Sequence, residues 1–283
     1  MAGLIASMTS NAAAAPAAGL PVDAHVHFHD AGCVCPTLDA AAANFGALRL
    51  ASTGPVRGAL LLAQSRRERV FEWLREQVRV GRWHVATARD EPQSLWLRED
   101  VAEILVVCGS QVVAEPGLEV LALGTDRRID DGLGLAATLG LARSEDALAV
   151  LPWGFGKWTG RRRRRVREAI ESEKDVDLWM GDNGGRLASL PTPRLLAEGE
   201  RCGHAILPGT DPFPFWHDYR RVGSFGCLVP ARLDADRPWQ SLREALTQAR
   251  SSPPSYGRGA GLFEFGLRQA RMQLHKHRRG GRA

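Results

Sequence analysis

Three histidines, His25, His27 and His29, occupy alternate positions in the run VDAHVHFHD, residues 22–30. Side chains of an extended strand alternate between its faces, so residues two apart share one face. Neutral imidazole ligates zinc and related ions well, so His25 and His27 can reach one cation together. Asp23 is placed to accept a hydrogen bond behind such ligands. His29 is either a third member of the cluster or a ring facing solvent. A second stretch with chemistry is AILPGTDPFPF, residues 205–215, in which Asp211 follows an apolar run and precedes Pro212. Proline has no N–H to donate and marks the end of a strand, so Asp211 is expected at a strand mouth. There its carboxylate is a hard oxygen ligand and general base, or else a helix cap. The same Gly-Thr-Asp ending recurs at LGTD, residues 123–126, and adds Asp126. Lys157 in WGFGK, and Asp182 and Arg186 in WMGDNGGR, follow other apolar runs. They are candidates for further ligands or for contacts to an anionic substrate group.

The elements that must hold these residues follow from periodicity. From residue 118 onward apolar runs alternate with segments of helical period: LEVLALGTD, GLAATLGLARSED, ALAVLPWGFGKW, RRRRVREAIESE, DVDLWMGD, TPRLLAEGERC and HAILPGTD. Such alternation implies parallel βαβ units. Seven or eight units in about 250 residues predict an α/β fold of the (β/α) TIM-barrel type, complete, distorted or seven-stranded, with functional residues at the C-terminal strand ends. No glycine-rich nucleotide fingerprint points to an open sheet instead. The expected organisation is a disordered Ala-rich leader over 1–20, one barrel domain over 21–277 and a basic tail over 278–283. In the C-terminal segment Phe263, Leu267, Ala270 and Leu274 have helical spacing and are expected to dock on the body. The leader lacks the basic and apolar regions of a signal peptide, and no apolar run approaches the ~20 residues that span a bilayer. Five cysteines without a framework spacing fit a reducing cytoplasm. The formal charge of +5 comes largely from Arg161 to Arg165 and from the tail. These are expected to be solvated, with nucleic acid an unfavoured partner.

VDAHVHFH at the first strand resembles the opening signature of the amidohydrolase superfamily and related metal-dependent barrel hydrolases. ILPGTDPFPF looks like that superfamily's last barrel strand. The resemblance implies His25 and His27 as metal ligands, and Asp211 as metal-bridging carboxylate and general base for water attacking a carbonyl-type or ester bond of a small molecule. The implied cofactor is a divalent ion, zinc first, with manganese or iron as alternatives. The superfamily draws further histidines from middle strands, whereas this chain has none between His84 and His204; Asp126, Lys157 and Asp182 are the available substitutes. The competing expectation is a non-catalytic barrel with a degenerate metal site, acting as a binding or scaffold protein through its basic surface. Convergence of His25, His27 and Asp211 on one point separates the two.

Overall fold

The computed structural model describes residues 19–50, 54–172, 178–215, 217–249 and 251–280. The leader expected over 1–20 lies outside the described residues except for its end, where Leu20 already opens the first strand. Residues 278–280 belong to the last helix, and 281–283 are outside the description.

The chain begins with β1 (Leu20–Val26), α1 (Val34–Ala47), β2 (Val56–Leu62) and α2 (Val70–Arg75). Six strands follow without a helix: β3 (Arg79–Val80), β4 (Trp83–Ala88), β5 (Glu91–Glu99), β6 (Ala102–Val107), β7 (Gly109–Ala114) and β8 (Leu118–Leu123). The βα rhythm then appears as α3 (Leu135–Ser144), β9 (Leu148–Pro152), α4 (Gly160–Ser172), β10 (Leu178–Asn183), α5 (Arg194–Arg201) and β11 (Ile206–Gly209). The chain closes with β12 (Gly226–Val229), α6 (Pro238–Ala249), β13 (Ser255–Tyr256) and α7 (Leu262–Gly280).

These strands form two mixed sheets, eight-stranded β13-β12-β1-β2-β6-β5-β4-β3 and five-stranded β11-β10-β9-β8-β7. They do not close into a barrel, and the TIM-type expectation is corrected on that point. A barrel of that kind needs every strand parallel to its neighbour, which requires a crossover of a dozen or more residues between strands. Between residues 79 and 123 the connections are too short for crossovers. The β3–β4, β4–β5, β5–β6 and β7–β8 pairs are accordingly antiparallel. Parallel pairing survives where helices intervene, in β9–β10–β11 and in β1–β2–β6. Two further antiparallel pairs, β8–β9 and β1–β12, complete the mixture.

Alternation sorts the apolar residues into three cores. Leu60 and Leu62 of β2 join Leu38, Phe45, Phe71 and Trp83 beneath α1 and α2. Ala59, Leu61 and Ala63 face the other way and meet Leu121, Val150, Trp179 and Trp239 between the sheets. A third cluster lies under α3, α4 and α5. The arginine-rich start of α4 faces solvent, while Val166, Ala169 and Ile170 of the same helix are buried. Arg165 and Arg167 pair with Glu168 and Glu198 at 2.8 and 3.1 Å. Among the described residues, no helix is long and apolar enough to cross a membrane.

Helix α7 departs from its periodicity. The stripe Phe263, Leu267 and Leu274 is exposed, Phe263 at 85%, while Arg268 is the buried residue at 5% exposure. The helix attaches through a polar residue, and its apolar stripe faces solvent.

Candidate metal centre

The β1–β2 register shifts between Asp23 and Val26. Before the shift Val22 and Ala24 join the core between the sheets; after it Val26 and Phe28 join the core under α1. His25 and His27, alternating with Val26 and Phe28, therefore turn toward the space between the sheets at the end of β1. Both are buried, and His29 is half-buried.

Strand β11 brings Asp211 to the same place. The Asp211 N–H donates to His25 O at 2.8 Å, which lays the end of β11 along β1. Gly209 makes that approach feasible: a Cβ there would lie 2.3 Å from His25 N. Beneath it Asp23, fully buried, ties the elements together. Its Oδ1 accepts from Thr210 N at 2.9 Å, and its Oδ2 from Thr210 Oγ1 at 2.6 Å and Gly223 N at 2.9 Å. Burial pushes the Asp23 pKa up to about 6, against the opposing hydrogen bonds from Gly223 and Thr210. Asp23 thus acts through the backbone that carries the candidate ligands rather than through an imidazole.

Three donor atoms converge. His25 Nε2 and His27 Nε2 are 3.2 Å apart, and Asp211 Oδ1 lies 3.5 and 3.6 Å from them. Ligands about 2.0–2.1 Å from a tetrahedral zinc ion are separated by ~3.3 Å, so this triangle has the size of one face of such a site. No ion is present. Asp211 adopts φ +46°, in the left-handed region that Asp and Asn tolerate best among residues with a Cβ. Its Oδ2 accepts a hydrogen bond from Asn183 Nδ2, leaving Oδ1 for the imidazoles.

Glu68, between β2 and α2, stands behind the histidines. Its Oε2 lies 3.4 Å from His27 Nδ1 and its Oε1 2.9 Å from His29 Nδ1. A carboxylate on Nδ1 holds the proton there and turns the Nε2 lone pair toward the other donors, as second partners of metal-bound histidines do. Burial opposes ionisation of Glu68, but hydrogen bonds from His27 and His29 outweigh it and hold the carboxyl well below its usual range. Burial, above all, depresses the His25 pKa, which favours the neutral ring that a cation needs. Burial also acts to lower His27, but Glu68 and Asp211 reverse that effect and raise it. Removing the Glu68 charge in Glu68→Gln is expected to weaken zinc binding 10–100-fold. Titration against a competing chelator checks this, and an unchanged affinity would remove Glu68 from the centre.

The other sequence candidates are distributed by strand direction. His29 joins through Glu68, and its Nε2 lies 2.9 Å from Pro212 O. Lys157, after β9, forms an ion pair with Glu119 at the start of β8. Their charges act on His25, and that of Lys157 also on Asp211. Asp126 lies elsewhere, 3.5 Å from Arg75. The two Gly-Thr-Asp endings diverge because β11 runs parallel to β10 whereas β8 runs antiparallel to β9. The end of β8 therefore points away from the centre, and its beginning supplies Glu119. Asp182 and Arg186 pair with each other at 3.1 Å. His204 is buried, with its ring nitrogens 3.2 and 2.9 Å from Leu178 O and Ile170 O. Glu68, Glu119, Asn183 and Arg268 were not singled out from sequence; Asn183 sits inside WMGDNGGR beside Asp182, and the other three carry no local pattern, so only the tertiary arrangement reveals them.

No family model matches the chain, and no curated protein matches it in sequence. The crystal structure of PsfC from Pseudomonas syringae PB-5123 is similar in fold, with a TM-score of 0.56 at 13% identity, covering 92% of this chain and 99% of that chain. At that identity the likeness concerns the fold alone.

Proposed function

We propose that this protein is a metal-dependent hydrolase of small molecules, related in its chemistry to the amidohydrolases. The observation that carries the reading is the convergence of His25 Nε2, His27 Nε2 and Asp211 Oδ1 within 3.6 Å of one another, with Glu68 behind His27. The two imidazoles and one carboxylate suit zinc first, and manganese or iron second. A divalent ion held by these residues would supply Lewis acidity and make water acidic enough to act as a nucleophile near neutral pH. Asp211, held in place through Oδ2 by Asn183, would present Oδ1 to the ion and to the proton of that water. Lys157, paired with Glu119 at the rim, offers an ammonium to a developing negative charge. Such convergence would be fortuitous in a scaffold protein with a degenerate centre. All five cysteines are unpaired, which agrees with a cytoplasmic location.

The test is an activity screen on lactones, amides and phosphoesters with protein reconstituted in zinc, manganese or ferrous iron. Hydrolysis of at least one class, abolished by chelation and restored by the metal, is expected. Loaded protein that turns over none of the three would contradict the reading.

A further inference from the structure

Arg268 of α7 is 5% exposed and contacts the backbone of Asp211. Its Nη2 donates to Asp211 O at 3.3 Å and to Asp218 Oδ2 at 3.0 Å, and its guanidinium stacks 4.3 Å from the Phe213 ring centroid. It therefore grips both ends of the segment 211–218. Its Nε and Nη1 are buried without a hydrogen-bond partner among the described residues. A buried cationic donor left unpaired is costly, so two on one side chain point to a missing acceptor.

A second arginine, half-buried, shares the location. Arg221, in the short 3-10 helix Asp218–Arg221, donates from Nη2 to Gly184 O at 2.6 Å. Its Nη1 lies 2.8 Å from Glu264 Oε1 of α7 without the alignment of a hydrogen bond. Arg268 reaches the same turn: a Cβ on Gly185 would lie 3.0 Å from Arg268 Nη1 and 2.8 Å from Asn183 Oδ1. Only a glycine lets the turn approach Arg268 and Asn183, the residue that holds Asp211, this closely. Burial and then the Arg268 charge lower the Arg221 pKa, as expected for neighbouring cations.

We propose that Arg268 and Arg221 form the receptor for an oxyanion group, carboxylate or phosphate, on the substrate of the adjacent centre. The assignment to a substrate rests on the hydrolase reading above; the anion site itself does not. Helix α7 is the cover of this receptor. Besides Arg268 and Glu264 it touches the connection between β9 and α4 through Phe265, whose ring meets Phe155 edge-on at 5.1 Å. Its stripe of Phe263, Leu267 and Leu274 makes no hold on the body, because it is exposed. A helix attached by polar contacts around one buried arginine can lift to admit a ligand and set Arg268 on it when it returns.

Calorimetric titration of the full-length protein, stripped of metal with EDTA and then freed of the chelator by gel filtration, with inorganic phosphate in one arm and acetate in the other, tests the receptor apart from any metal. Binding of one or both anions by the wild type is expected, and the tighter arm identifies the group. Arg268→Met and Arg221→Met, each confirmed as folded by circular dichroism, are each expected to weaken it by tenfold or more, the value of one charge-assisted hydrogen bond. Binding of neither anion by the wild type, or affinities unchanged in both variants, would overturn the proposal. Anion binding by a protein that takes up no metal would leave the receptor standing and remove the hydrolase reading.

Discussion

Asp211→Asn is expected to lower kcat by about 10²–10⁴-fold, the usual contribution of a general base, while the thermal midpoint moves little. Asparagine is the substitution the backbone accepts, because it tolerates the left-handed φ of +46° found here. The chemistry is what changes. Asn183 Nδ2 donates to one oxygen of Asp211, so the single amide oxygen of the variant must turn that way to avoid opposing two donors. The amide NH2 is then left facing His25 Nε2 and His27 Nε2, where it supplies neither a lone pair for a cation nor a base for a proton. Metal affinity is therefore expected to fall together with activity. Wild-type turnover in a folded Asp211→Asn protein would show that Asp211 is only a structural residue of this turn.

The largest effect on stability is expected at Asp23. Truncation in Asp23→Ala removes the acceptor of Thr210 N, Thr210 Oγ1 and Gly223 N, all of which are buried. Each donor left without a partner costs about 1–3 kcal/mol, so a loss of about 3 kcal/mol or more is expected. Equilibrium unfolding in urea measures it as a lowered midpoint at unchanged slope. The same variant is expected to bind metal more weakly, because Thr210 and the His25 backbone fix where Asp211 and the imidazoles stand. A loss below about 1 kcal/mol would mean that the packing of β11 against β1 holds without the carboxylate.

The two short motifs that stand out in the sequence are also the two that meet in space. His25 and His27 share a face because alternation is a local property of extended chain. The β1 register shift lies before Val26, so the alternation of His25 with His27 is left intact. Asp211 was legible as the acidic residue between an apolar run and Pro212, a local signal as well, although β11 itself ends two residues earlier, at Gly209. Strand direction was not legible in the same way. LGTD and PGTD read alike, yet Asp126 and Asp211 end far apart in role, because direction is decided by what lies between strands and how they pair. The βα rhythm after residue 118 is real for β9, β10 and β11, and extending it backward over the antiparallel strands from residue 79 to 123 produced the barrel expectation. The α7 stripe misled for a related reason: periodicity shows that a helix has an apolar face, not which face the body receives. Arg268, which carries the attachment, stands among the polar positions of that helix with no local pattern to mark it.

The central claim is that His25, His27 and Asp211 together hold a divalent cation. Its most direct test is the metal content of the full-length protein, measured by plasma mass spectrometry after reconstitution with zinc and removal of free ions, beside the His25→Ala/His27→Ala double variant. About one ion per chain in the wild type and none in the folded double variant is the expected result. No uptake by the wild type, or equal retention in the double variant, would contradict the claim.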